Sequence, residues 1–139
     1  MKQINLEQGL ALIKKHQNPN LKGLDLNDRT ARFEVLMQDH QYACHFEAST
    51  TEPSYYGANR SRLLLEEIIP EIEKLGKRPI YYYFILLSSP DARFMIDDLD
   101  ALADFIQANE SIEAVWTVHE NDVDGETNSI TMHLITIMD

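Results

Sequence analysis

The sequence has one cysteine, Cys44, among 139 residues. No intrachain disulfide can form, which excludes the disulfide-stapled secreted scaffolds. Basic side chains are missing after Arg93. All 12 Lys and Arg precede that point, where 12 of the 23 Asp and Glu balance them, so the other 11 acids carry the whole net charge of −11. A surface of that sign repels nucleic-acid phosphates and anionic lipid, and neither is an expected partner. Long apolar runs are also lacking. The longest, Ile80 to Leu87, falls far short of the roughly 18–20 residues of a membrane span. Met1 to Leu6 leads at once into Glu7 and Gln8, with no apolar signal core. The expectation is a cytoplasmic protein without membrane association.

Catalytic signatures are equally scarce. Ser61 and Ser88 lack the glycines of a nucleophile elbow. The five histidines, His16, His40, His45, His119 and His133, show no HxH or HxxxH spacing, and no CxxC occurs. His119 and His133 lie on successive strands as cross-strand candidates, with His45 joining only if its strand lies nearby. Zinc needs three or four converging ligands, and scattered histidines are the plainer reading. Asp122-Val123-Asp124-Gly125 resembles part of a calcium loop opened by Glu120, but Thr131 stands where the closing Glu belongs, so a hairpin turn is the better reading. Cys44 alternates with Tyr42 and Phe46 and belongs in the core as an inert thiol. No catalytic residue, metal or cofactor is indicated.

What is present is ordinary globular composition, 44% hydrophobic and 25% charged, in a length that fits one domain over 1–139. Asn5-Leu6-Glu7-Gln8 reads as a capping box, opening a helix over 5–16 with Leu6, Leu10 and Ile13 on one face. Residues 31–37 and 42–47 both alternate with period two around Gln38-Asp39-His40. That predicts an antiparallel hairpin, with a helix over 31–37 as the alternative. A helix over 61–75 carries the stripe Leu65, Ile68, Ile72 and Leu75, stops at Gly76, and should kink or break at Pro70. Ile80 to Leu87 is apolar or aromatic throughout, as in a strand covered on both faces, although an exposed face of Tyr81, Tyr82 and Tyr83 would mark a partner site. A helix over 97–108 follows, lined by Leu99, Leu102, Ala103 and Ile106, with Asp97, Asp98 and Asp100 at its positive end. Strands over 112–119 and 130–138 close the chain as an antiparallel pair. The fold class is therefore α/β (α+β): a mixed four- to five-stranded sheet with about three helices, in the order α-β-β-α-β-α-β-β.

The stretch from Ile80 to Met138 resembles the C-terminal domain of the tubulin/FtsZ superfamily. The strand "IYYYFILLSS", the helix "IDDLDALADFIQA", the strand "IEAVWTVHE", an acidic loop and the strand "SITMHLITIM" succeed one another as in that family. The resemblance extends toward "LDLNDRTARF" (24–33), near which the family carries an Asn-x-Asp-x-x-Asp loop whose acids help neighbouring subunits hydrolyse GTP. It implies that role for Asp25 and Asp28, although Gly23 stands at the Asn position; turn or cap residues are the alternative. The glycine-rich loop GGGTGTG and the length of the GTP-binding domain are absent, so the resemblance implies the second domain without the first.

A final candidate is the loop around Thr50 to Arg62. It gathers Tyr55, Tyr56, Asn59, Arg60 and Arg62, and Tyr and Arg are the types that dominate binding hot spots, or the tyrosines simply pin the loop to the core. The expectation is a non-enzymatic protein-interaction or assembly module, with a protein partner or self-association. The alternatives are an acidic inhibitor or immunity-type protein masking a basic effector, and an enzyme with an unrecognised site.

Overall fold

A computed structural model describes residues 1–16, 24–51, 59–89, 92, 94–120 and 129–139, with the chain path but not the side chains at 24–29 and 120. Its elements are β1 Lys2–Ile4, α1 Leu6–Lys15, α2 Leu24–Met37, β2 Ala43–Thr50, α3 Arg60–Lys74, β3 Pro79–Ser88, a 3-10 turn Ile96–Leu99, α4 Asp100–Ala108, β4 Glu113–Glu120 and β5 Ile130–Met138. The strands form one mixed sheet in the order β1-β2-β5-β3-β4. Among the described strands only β3 and β4 run parallel, joined through α4; the other neighbours are antiparallel. The expected mixed α+β sheet is present.

Alternation along each strand divides the interior into two cores. Tyr81, Tyr83, Ile85, Ile135 and Ile137 point to one face, where Ile13 of α1 and Phe33 and Met37 of α2 cover them. Tyr82, Phe84, Leu86, Phe46 and Leu134 point to the other, beneath Leu64, Leu65 and Ile68 of α3 and Leu102 of α4. All three consecutive tyrosines are buried, so they offer no open aromatic face. Cys44 is buried, and burial pushes its thiol pKa up.

Residues 31–37 are helix, not the first arm of a hairpin. Phe33 and Met37 are buried with Leu36 half-buried, an i, i+3, i+4 set, whereas Val35 is 51% exposed and Ala31 is also exposed. The run of apolar side chains every second residue imitated a strand because the helix is apolar on more than its buried stripe. The strand starting at Ala43 exists, but it pairs with β1 and β5. The chain's closing strand is also displaced: β5 lies between β2 and β3 and does not return to β4. Every residue of β5 except His133 is buried, and the middle of the sheet is the place that buries both faces.

The local signals read well. Asn5 Oδ1 accepts from the Gln8 backbone N–H and Gln8 Oε1 from that of Asn5, each at 2.9 Å. Gly76 follows α3 with φ 63, a left-handed position that glycine takes without strain. Pro70 lies inside α3 without ending it. It is exposed, and so is Glu66, whose carbonyl loses its helical partner where water can replace it.

Candidate functional site

The two faces of α4 have different fates. Leu102 is buried in the core, and the Phe105 ring packs tilted against Tyr82 of β3 at 5.4 Å and edge-on to Phe84 at 6.1 Å. Leu99, at the end of the preceding 3-10 turn, and Ile106 on the flank of the helix pack against the core but stay only half-buried, and Ala103 is exposed. They line an apolar groove of about 290 Å³ with Leu102, Gln107 and Trp116. Trp116 projects from β4 on the face that α4 covers, opposite Phe84 in the register. It remains 48% exposed. β4 is an edge strand of the sheet, where fewer neighbours cover a side chain. Just upstream, Met95 and Ile96 are also exposed, Ile96 by 88%.

Carboxylates stand next in sequence to residues that line this groove. Asp100 and Asp104 follow Leu99 and Ala103 by one position round the helix, both exposed, and Asp97 lies in the preceding turn. No Lys or Arg occurs after Arg93 to offset them. Glu113, at the start of β4, is held by Arg32 of α2: Arg32 Nε donates to Glu113 Oε1 at 2.9 Å and to Oε2 at 2.8 Å, and Nη2 lies 2.8 Å from Oε1. Sequence reasoning had placed Leu99, Leu102, Ala103 and Ile106 together on a buried face. It missed Trp116, whose signal was a large aromatic at mid-strand beside a helix more apolar than one core requires.

Of the loop residues expected to meet a partner, Tyr55 and Tyr56 lie outside the described residues. Arg60 is 1% exposed and Asp98 fully buried. Arg60 Nε donates to Asp98 Oδ1 at 2.9 Å, Nη2 to Asp98 Oδ2 at 2.7 Å, and Nη2 also to the Ala92 carbonyl at 3.2 Å. Burial pushes the Asp98 carboxyl up. The bond from Arg60 and the backbone N–H groups of Met95 and Arg60 outweigh it and hold the pKa below the usual carboxylate range. Asn59 Oδ1 accepts from Ser61 Oγ at 3.2 Å and from the Ala101 N–H at 3.4 Å, and Ser61 Oγ accepts from the Leu102 N–H at 3.3 Å. Asn59 and Arg60 therefore latch the start of α3 to the start of α4, setting the helix that walls the groove. Arg62 is exposed, 3.8 Å from Glu66. The side chains of Asp25 and Asp28, and the loop Asp122 to Gly125, lie outside the described residues.

The histidines regroup. His119 and His133 cannot be cross-strand neighbours, because β3 separates β4 from β5; His119 Nε2 sits 3.1 Å from Thr117 Oγ1. His133 meets His45 of β2 instead, with Nδ1 2.9 Å from His45 Nε2 and the rings stacked at 5.1 Å. The His16 ring stacks on His133 at 5.4 Å. Burial, then the positive charge that His45, His16 and Lys15 can bring, lowers the His133 pKa to about 4. Burial likewise lowers that of His45, with Glu47 opposing and Lys2 and the N-terminus adding to it.

This fixes a pH dependence. The unfolded chain takes a proton on His133 near pH 6.5, whereas the folded chain refuses it until about pH 4. Stability from this group is complete above the unfolded value and is lost as pH falls through that window. After discounting for water at a half-buried ring, the loss should be about 1–2 kcal/mol. Urea unfolding at about pH 7 and about pH 4.5 should show it in the wild type and much less in His133→Gln. Equal slopes in both proteins would refute it.

No family model matches the chain, and no curated protein matches it. Among solved structures, "Structure of 2C-Methyl-D-erythritol-2,4-cyclodiphosphate Synthase" aligns with a TM-score of 0.37 and 16% identity, over 58% of this chain. The chain spans 53% of that protein's length. A likeness at that level carries no argument about function. Among the described residues, no helix is long and apolar enough to cross a membrane.

Proposed function

We propose that this chain is a protein-interaction module whose docking site is the groove between α4 and β4. It takes a partner segment that combines apolar side chains at helical spacing with basic ones beside them. The observation that carries the reading is Trp116, half-exposed against Leu99, Ala103 and Ile106 in an apolar groove. Tryptophan is the side chain most enriched where binding energy concentrates. Asp97, Asp100 and Asp104 supply the charge that selects a basic partner and speeds its approach. The groove is within reach of one or two buried side chains, so weak and salt-sensitive binding is expected from it alone. An acidic inhibitor masking a basic effector would use the same surface.

The chain contains one tryptophan, so its fluorescence reports on this groove alone. An amphipathic helical peptide of Leu and Lys should shift the Trp116 emission to the blue and saturate. A Leu and Glu peptide of the same pattern should not. Ala103→Lys places a long cation in the groove at an exposed position and should weaken binding about tenfold or more. Raising salt should weaken it further. Equal binding of both peptides, or binding indifferent to Ala103→Lys, would overturn the reading. A self-associated chain dispersed by Ala103→Lys would make a second copy the occupant, in the manner the tubulin/FtsZ resemblance implies, and would also overturn the basic partner.

A further inference from the structure

A second arrangement lies on the opposite face of the sheet and is independent of the groove. His45 and Glu47 are two residues apart on β2 and share a face, and Glu47 is the direct cross-strand partner of His133 on β5. One ligand atom from each of the three lies within 4.8 Å of the other two. We propose that His45, His133 and Glu47 form a site for a divalent transition ion, zinc foremost, with a fourth position open to an outside ligand.

The chemistry of the set fits. Two imidazoles and one carboxylate are the donors of an open zinc site, which keeps one position for water or substrate. Tetrahedral zinc with bonds near 2.0–2.1 Å holds two nitrogens roughly 3.3 Å apart. His45 Nε2 and His133 Nδ1 stand at 2.9 Å, and the ion is admitted when the rings part slightly and turn by roughly 35°, so that both nitrogens aim at one point beside the line between them. Both imidazoles must be neutral to ligate, and burial keeps them so at neutral pH. In the free protein one of the facing nitrogens carries a proton toward the other. The ion takes that place, and the displaced proton moves to the far nitrogen of the same ring, so no net proton need leave.

The surroundings favour an ordered site. Strands position both histidines, and two strands in one ladder fix ligands more firmly than a loop does. His16 stacks on His133 and limits its rotation. Glu47 is exposed and free to swing inward over the last ångström or two. A cleft of about 320 Å³, lined by His45, Lys2, Gln8 and Lys15, opens beside the set and gives an ion and its outside ligand a way in. The two lysines oppose a bare cation and favour an anionic fourth ligand, such as hydroxide or phosphate.

Cobalt(II) is the direct probe, since a four-coordinate site gives it intense visible absorption. The chain, freed of any affinity tag and stripped with a chelator, should take up one equivalent of Co(II) with that absorption. Zn(II) should displace it and raise the thermal midpoint. His45→Gln and His133→Gln should each abolish the absorption. Glu47→Gln alters an exposed side chain and leaves the interior alone, so it tests the site even if the histidine variants fold poorly. It should weaken Zn(II) binding about tenfold or more. Absence of absorption and of any Zn(II) stabilisation in the wild type would overturn the proposal. So would uptake unchanged in Glu47→Gln and His45→Gln, which would place the ion among the acids of the last third.

Discussion

Truncating Asp98 to alanine is expected to lower the unfolding free energy by about 3–5 kcal/mol. The reason is what remains behind. Arg60 is 1% exposed, so the variant buries a guanidinium whose two strongest bonds, at 2.7 and 2.9 Å, have gone. The backbone N–H groups of Met95 and Arg60 lose their acceptor as well. Asp98→Asn should cost less, because its carbonyl oxygen still accepts one of these bonds. Replacing both partners together, Arg60→Met with Asp98→Leu, should cost less than Asp98→Ala alone, since no charge is left in the interior. Denaturant unfolding of the four proteins decides it. A loss under about 1 kcal/mol for Asp98→Ala would mean that water reaches the pair. Because the pair sits beside the latch between α3 and α4, the emission of Trp116 should also change in Asp98→Ala before any peptide is added.

Gly9 is the second position where a small change should weigh heavily. Replacing a glycine inside a helix by alanine usually stabilises by about 1 kcal/mol. Here the added Cβ would meet Phe33 Cζ at 2.5 Å and Cε1 at 2.6 Å, distances that real side chains do not tolerate. Phe33 is fully buried and tilted against Tyr81 at 6.4 Å, so its ring cannot simply withdraw. Overpacking of this kind typically costs about 1–3 kcal/mol, enough to reverse the helix gain. Gly9→Ala should therefore destabilise, and Gly9→Leu should cost about 3 kcal/mol. Pairing Gly9→Ala with Phe33→Leu should recover part of the loss, because the smaller side chain vacates the space. Thermal midpoints would check it. A higher midpoint for Gly9→Ala would mean that α1 can lift from α2 at no cost.

How much of this was legible in the sequence follows from the range of each interaction. The capping box at Asn5 and Gln8, the stop at Gly76 and the extended run of Ile80 to Leu87 are short-range signals, and the structure carries all three. The helix over 31–37 was misread because Ala31 and Val35 are apolar yet face outward, and only the packing of Phe33 and Met37 distinguishes helix from strand. The position of β5 was not legible at all. Nothing in Ile130 to Met138 states that its neighbours are residues some 50 and 90 positions earlier, as in the pairs Ile85 with His133 and Cys44 with Thr136. Everything that depended on that placement was hidden with it, including the meeting of His45 and His133. The groove was half-legible. Its helical stripe was read correctly and assigned wholly to the core, because a sequence gives the apolar face of a helix but not the width of the sheet beneath it.

The location of β5 bears on how the molecule is made. Of the described elements this strand is made after all the others, yet it lies at the middle of the sheet. Until it emerges, β2 and β3 each present an unsatisfied edge, with Phe46 on one side and Tyr82 and Phe84 on the other seeking cover. The halves can find their local helices early, but they can unite only when the final segment slides between them. Such long-range closure is intrinsically slow and leaves nascent chains exposed to mispairing. During synthesis, the hazardous interval is the wait for Ile130–Met138.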